Sequence, residues 1–247
     1  MLLALRYFLL FILLMPFSLC VQADEDGVAL LKKIDELFRS NTSIATMKMT
    51  ITTPNWQRTL EMQSWTQGME DTFIRVLSPR KDRGVATLKK DKEMWNFFPK
   101  INKVIKVPPS MMMGSWMGSD FTNDDLVREV SLVEEYHVSK TELDDTYQLI
   151  LLPKQSTVTV WGKITIVVNK ADLLPLEQNY FNEKGEKIRA MTFSQVRDFS
   201  GKKMPAIMTM VPLNKSGHKT VIEYVDAKFD SKLKENIFTL RNLQTRF

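Results

Sequence analysis

Cysteine is nearly missing from this chain. Cys20 is the single one in 247 residues, so everything after it lacks disulfides and thiolate metal sites. Histidine is almost as scarce, with only His137 and His218, which leaves few imidazoles for ligation or general-base work. Glycine is thin at nine residues, and no phosphate-cradling glycine loop occurs. HExxH and GxSxG are absent too. No linker or low-complexity segment divides the chain. No charge sign dominates: the net charge is +5, and Arg6 carries one unit of it. The basic pairs Lys32-Lys33, Arg80-Lys81, Lys89-Lys90 and Lys202-Lys203 are scattered. They read as a solvated exterior with at most a weak pull toward anionic membranes, and no nucleic-acid partner is expected.

Residues 1–23 have the parts of a cleavable export signal. Arg6 is the positive n-region, Tyr7 to Leu14 the apolar core and Pro16 the helix breaker. Val21-Gln22-Ala23 supplies small residues for cleavage after Ala23. A membrane anchor is the alternative, but the apolar run is short of the ~20 residues a spanning helix needs. Lipidation at Cys20 is a further alternative, disfavoured by Leu19 before it. Export predicts a mature chain of residues 24–247, read as one domain. A chain of this size can bury a sizeable core.

The mature segment opens with a helix. Over residues 25–39, Val28, Leu31, Ile34, Leu37 and Phe38 recur at helical spacing, with Lys32, Lys33, Asp35 and Glu36 opposite. The period then changes to two. Met47, Met49 and Ile51 alternate with Lys48, Thr50 and Thr52. Short strands are predicted at 57–67, 70–77, 84–90 and 92–98, and a hairpin turns at Pro99-Lys100-Ile101-Asn102. Later strands are predicted at Leu132–Glu142, Thr146–Leu152, Lys163–Asn169, Leu174–Phe181, Lys187–Phe199, Met204–Val211 and Lys219–Phe229. The pattern is one helix followed by roughly a dozen strands in meander order. Strands such as 163–169 and 204–211 are apolar on both faces, so both faces need covering by protein or by an apolar ligand.

One stretch obeys neither period. Residues 108–126 hold Met111, Met112, Met113, Trp116, Met117 and Phe121, with Gly114 and Gly118 giving bending freedom. Thr122-Asn123-Asp124-Asp125 reads as the cap of a short helix through Arg128. Thirteen of the fifteen methionines lie beyond residue 23. Methionine suits irregular cores and variable apolar ligands equally. The segment is therefore either a lid over an apolar cavity or a packed loop closing the core.

Catalytic candidates are weak. His137 follows Glu134-Glu135 in a strand pattern, where neighbours point to opposite faces. His218 sits in a turn. The acidic pairs Asp124-Asp125, Glu134-Glu135 and Asp144-Asp145 fit a helix start, an edge and a turn. No metal and no cofactor is expected, and the chain is not read as an enzyme. A hydrolase using Asp120 or His137 is the remote alternative.

Particular residues resemble the LolA-like family of outer-membrane lipoprotein-sorting carriers. They are Arg75-Val-Leu-Ser-Pro79, Gly84 to Leu88, Met94-Trp95-Asn-Phe97-Phe-Pro99 and, most specifically, Met117-Gly-Ser-Asp-Phe-Thr-Asn-Asp-Asp-Leu126. Leu174-Pro175, Tyr180-Phe181, Gly185, Phe193, Gly201 to Pro205, Thr220, Phe229 and Phe238 extend the likeness over nearly the whole mature chain. The resemblance implies a mainly β (α+β) fold: an incomplete antiparallel β-barrel of about eleven strands, with an N-terminal helix and a helical or loop lid. It implies a monomeric periplasmic carrier of lipid or acylated protein, served by an inner-membrane transporter. The pattern departs from the best-known carriers in one place. They hold the lid with an arginine before a proline, where this chain has Ser78-Pro79. Arg75 and Arg80 are the candidates to replace it, and the departure implies the broader branch of the family.

The expected lipid-binding residues are Trp95, Phe97, Met111, Met113, Trp116, Met117 and Phe121. The competing expectation is a non-carrier subunit of a transporter or envelope assembly, its cavity filled by side chains.

Overall fold

The computed structural model describes residues 24–38, 40–128, 132–157 and 159–245. The export signal, with Cys20, lies outside the described residues. Helix α1 spans Glu25–Leu37, and six strands follow. They are β1 (Thr42–Thr52), β2 (Gln57–Gln67), β3 (Asp71–Ser78), β4 (Ala86–Lys90), β5 (Glu93–Phe98) and β6 (Lys103–Lys106). Two short helices come next, α2 (Asn123–Arg128) and α3 (Leu132–Glu135). Strands β7 (Tyr136–Glu142), β8 (Thr146–Pro153), β9 (Lys163–Asn169) and β10 (Pro175–Phe181) precede the long β11 (Lys187–Phe199), β12 (Lys202–Pro212) and β13 (Lys219–Phe229). Helix α4 is Leu240–Leu243. Among the described residues no helix is long and apolar enough to cross a membrane.

All thirteen strands join one sheet, in the order β6-β5-β4-β3-β2-β1-β13-β12-β11-β10-β9-β8-β7. Neighbours are antiparallel, as hairpin connections require. Two meanders, β1–β6 and β7–β13, are joined by β1 against β13. The far edges, β6 and β7, do not pair, so the barrel stays open. This is the mainly β, incomplete-barrel architecture expected, with thirteen strands rather than about eleven.

Period-two patterning puts one face of each strand inside. On β1 the buried positions are Ser43, Ala45, Met47, Met49 and Ile51, and on β2 they are Leu60, Met62, Ser64 and Thr66. Helix α1 fills the hollow of the second wing. Leu30, Leu31 and Ile34 bury themselves against β7–β12, each worth about 1.5–3 kcal/mol. Phe38 stacks on Phe193 and Tyr224 at 6.2 and 5.8 Å between ring centres. Gly27 lets the helix lie close to β7, because a Cβ there would stand 3.3 Å from the Val138 side chain.

The outer face of β3–β5 is apolar as well. Phe73, Ala86, Leu88 and Phe97 are covered by Ile237, Phe238 and Leu243 of the C-terminal segment. Arg75 fastens that cover. Its guanidinium donates to the carbonyls of Asn242 and Leu243 at 2.5 and 3.5 Å and lies 4.8 Å over the Phe73 ring. Burial pushes its pKa below the ordinary arginine value. Arg75 thus works on the outside of the barrel, away from the lid.

One expected strand starts late. Residues 132–135 form α3, and β7 begins only at Tyr136. The carbonyls at the end of α3 have partners waiting on the loop after β8. Lys154 Nζ donates to the carbonyls of Val133 and Glu134, and Thr157 Oγ1 donates to that of Glu135. Those bonds make a helical turn better satisfied there than an extended edge.

Asp24 is the N-cap of α1. Its carboxylate accepts from the backbone N–H groups of Asp26, Gly27 and Lys140 at 3.1, 3.2 and 3.1 Å. The Gly27 bond leads in holding this carboxyl below its ordinary pKa of 3.8. A depressed folded-state pKa adds stability above the unfolded value, and that stability is lost as pH falls through the folded one. Asp24→Ala should therefore cost about 1 kcal/mol at neutral pH. The gap to wild type should narrow in strong acid, as read by urea unfolding at the two pH values.

Candidate functional site

Strands β6 and β7 are consecutive in sequence but lie on opposite edges of an open sheet. Residues 107–128 reach across the opening from the first wing to the second. The segment leaves β5–β6 with Val107 N–H bonded to the Met94 carbonyl, 2.8 Å. A helical turn at Pro109–Met111 and another at Trp116–Gly118 fold it compactly. Met117 takes the left-handed conformation with φ 51°, and Gly118 follows at φ 77°. Backbone bonds tie its two arms: Trp116 N–H to the Phe121 carbonyl, Asn123 N–H to that of Gly114, and Asp124 N–H to that of Met112.

The crossing is pinned to both wings. Trp116, 2% exposed, donates its indole N–H to Thr87 Oγ1 on β4 at 3.1 Å. Arg58 on β2 donates to the Met117 carbonyl at 2.7 Å. The hydroxyl of Thr220 on β13 donates to Asp120 Oδ2 at 2.7 Å and accepts from the Asp120 N–H at 3.0 Å. The α2 start is a reciprocal capping box: Thr122 Oγ1 accepts from Asp125 N–H at 3.1 Å, and Asp125 Oδ2 accepts from Thr122 N–H at 2.7 Å.

Asp125 does more than cap. Arg189 of β11 reaches it with two parallel bonds, Nη1 to Oδ2 at 2.8 Å and Nη2 to Oδ1 at 2.5 Å. The guanidinium stacks over Tyr180 at 3.9 Å and Trp161 at 4.6 Å. Arg189 is 4% exposed. Burial is the largest single influence and would lower its pKa, but the charges and hydrogen bonds of Asp125 and Tyr180 together outweigh it and hold it above the ordinary arginine value. The arginine that grips the crossing in this chain therefore comes from β11.

Beneath the crossing lies a cavity of about 200 Å³, bounded by α1, α2, α3 and the inner faces of both wings. Its apolar walls include Met47, Met62 and Ile74 on one wing and Met191, Phe193 and Met208 on the other. Trp116, Phe121 and Leu126 form the roof. Hydroxyl and amide groups enter at Ser43, Ser64, Thr66, Thr72 and Gln178. Four carboxylates, Asp35, Asp124, Asp125 and Glu135, come from the helices. Among the described lining residues there is no lysine, arginine or histidine.

The expected binding residues are spread over three environments. Trp116 and Phe121 line the cavity. Met117 is half-buried and packs against the cluster built on β1–β3. Met111 and Met113 are 59% and 42% exposed. Trp95 and Phe97 belong to the outer-face cluster under the C-terminal segment. On β5 it is Met94 that joins the inner cluster, and Asn96 accepts from Thr87, the partner of Trp116. Arg189 and the strand methionines went unpicked. Period-two spacing marks Met47, Met191 and Met208 as facing one side, but nothing local marks that side as hollow.

Of the catalytic candidates, Asp120 holds Thr220 and lies 3.6 Å from His218 Nδ1. The neighbouring hydroxyls of Ser115 and Ser119 are spent on the carbonyls of Ser119 and Trp116. His137 sits half-buried on β7. Among the described residues no three His, Cys, Asp or Glu side chains converge as a metal site.

A family model whose description is only "uncharacterized protein-like" matches residues 68–245. The chain belongs to that family. No curated protein matches it. Solved structures do. A domain named for outer membrane lipoprotein sorting from Vibrio parahaemolyticus is 21% identical, with a TM-score of 0.75 over 90% of this chain and 99% of that one. A DUF1329 family protein from Desulfovibrio piger is 22% identical, TM-score 0.78, over 89% and 98%. A LolA superfamily protein from Nitrosomonas europaea is 22% identical, TM-score 0.70, over 87% and 98%. The fold is the LolA-like incomplete barrel.

The Arg189–Asp125 bond generates an asymmetric prediction. Asp125→Asn leaves a buried guanidinium without its counter-charge and should cost about 3 kcal/mol. Arg189→Met removes the buried charge and leaves a carboxylate that is 18% exposed, so it should cost less. Hydrogen exchange across 107–128 should quicken in both variants. Chemical denaturation checks the order, and an equal or greater loss for Arg189→Met would overturn this account of the latch.

Proposed function

We propose that this protein is a non-enzymatic periplasmic carrier that shelters the acyl chains of a lipid or lipidated protein between two membranes. The observation that carries the reading is the apolar cavity under a crossing segment that the buried Arg189–Asp125 pair ties to the second wing. An acyl chain loses about 0.8 kcal/mol for each CH₂ left in water, so a shuttle needs such a shelter. Methionine walls adapt to chains of different length. The likeness to lipoprotein-sorting and LolA superfamily folds supports the same reading. The cargo would arrive from an inner-membrane transporter, and the carrier would act as a monomer.

Export fits the geometry of Asp24. Cleavage after Ala23 would make the N-cap of α1 the first residue. Its N–H already donates to the Val138 carbonyl at 3.2 Å. A new α-ammonium there keeps a bond to accept it.

A second reading is a fixed subunit of an envelope assembly, with the crossing as a permanent plug. The bonds of Trp116, Asp120 and Met117 to three different strands favour it.

Native mass spectrometry of protein recovered from the periplasm separates the two. A carrier should show bound lipid and a mature N-terminus at Asp24. Ala45→Phe, which projects into the cavity, should abolish retention of lipid with little change in the circular dichroism spectrum. A wild-type protein that neither retains nor takes up lipid would sink the carrier reading and leave the plug.

A further inference from the structure

The polar side chains of the cavity are grouped. Ser43 on β1 stands directly opposite Thr66 on β2, and Thr66 opposite Thr72 on β3. On the same inner face, Ser64 is flanked by Ala45 and Ile74. All four hydroxyl residues line the cavity and are only 2–8% exposed. One row further on, the wall is Met47, Met62 and Val76. A hydroxyl shelf therefore closes the end where β2 turns into β3, and an apolar trough runs away from it.

The shelf is more polar than folding needs. Ser43 Oγ and Thr66 Oγ1 lie 2.7 Å apart and share one bond, which leaves each with capacity to spare. The Ser64 hydroxyl has no hydrogen-bond partner among the described residues. An apolar side chain would serve a dry core better at that position. Small residues at Ser43, Ala45 and Ser64 also leave room above the shelf.

The surroundings select against negative charge. The described lining residues carry carboxylates and no cation. Lys89 continues the row on β4 but is 1% exposed and outside the lining, with its ammonium donating to the Met69 carbonyl at 2.6 Å. An anion entering this space would give up water and meet no counter-charge among the described lining residues. An uncharged oxygen would find several hydroxyls able to donate or accept.

We infer that the shelf of Ser43, Ser64, Thr66 and Thr72 seats an uncharged ester or hydroxyl group of the bound lipid, with the acyl chain along Met47 and Met62. The inference rests on the carrier reading and names its ligand class as neutral acylglycerol-type lipid.

Three probes test it on the mature protein: dioctanoylglycerol, dioctanoyl phosphatidylglycerol and diphenylhexatriene, which has no polar group. Wild type should bind dioctanoylglycerol more tightly than the anionic lipid. Ser64→Ala and Thr66→Val should each weaken dioctanoylglycerol by about 3–10-fold and leave diphenylhexatriene unchanged. Ser64→Thr, which keeps a hydroxyl, should bind as wild type does. Tighter binding of phosphatidylglycerol, or no change in either hydroxyl deletion, would overturn the shelf while leaving the carrier reading intact. Failure of every probe to bind would overturn both.

Discussion

The sheet's two free edges are joined by one stretch of chain, and the rest of the molecule follows from that constraint. Strand β6 ends at Lys106 and β7 starts at Tyr136, on opposite rims of an open barrel. The chain between them has no route along the sheet, so it crosses the mouth. A connection in water would have its backbone groups solvated. Here they are turned on one another, from Trp116–Phe121 to Asp124–Met112. The side chains that face inward then have to be apolar, and the ones that reach the wings have to be polar enough to hold on. Trp116 and Phe121 turn inward while Asp120 and Asp125 reach the wings for this reason.

The Arg189–Asp125 pair fixes where α2 sits against the second wing. A buried ion pair adds little net stability compared with an apolar pair of the same shape, because both ions were solvated before folding. Separating its partners inside the protein is costly, because one is left buried and alone. Such a bond specifies a closed geometry more than it stabilises the fold. The contacts of Trp116 with Thr87 and of Asp120 with Thr220 lie on other strands. They hold the first half of the crossing independently of the ion pair.

The sequence made much of the scaffold legible through period two alone. Strand β2 occupies the predicted 57–67, and the capping of α2 was readable from Thr122 to Asp125. What escaped it was sidedness. Met94-Trp95-Asn96-Phe97-Phe98 is apolar on both faces, so its parity cannot say which face meets the hollow. The answer lies in the C-terminal segment, whose Ile237, Phe238 and Leu243 claim Phe97 from outside. Arg189 escaped because its partner lies 64 residues away, beyond any local pattern. Exposed Met111 and Met113 show the converse error: composition marks a segment as greasy without saying which of its residues turn inward.

Cavity size constrains how such a protein would work. About 200 Å³ exceeds the ~150 Å³ engineered cavity that admits benzene, yet it falls below the ~300 Å³ at which drug-sized ligands begin. A cargo larger than that would need the space to widen. Either the roof lifts or the cargo is small. The walls favour the first. Methionine side chains from both wings can change rotamer without leaving their strands, and α2 is attached at its start by a capping box that would survive the loss of Arg189. A roof hinged near Thr122 would enlarge the trough over Met191, Phe193 and Met208 while leaving the Trp116 end closed.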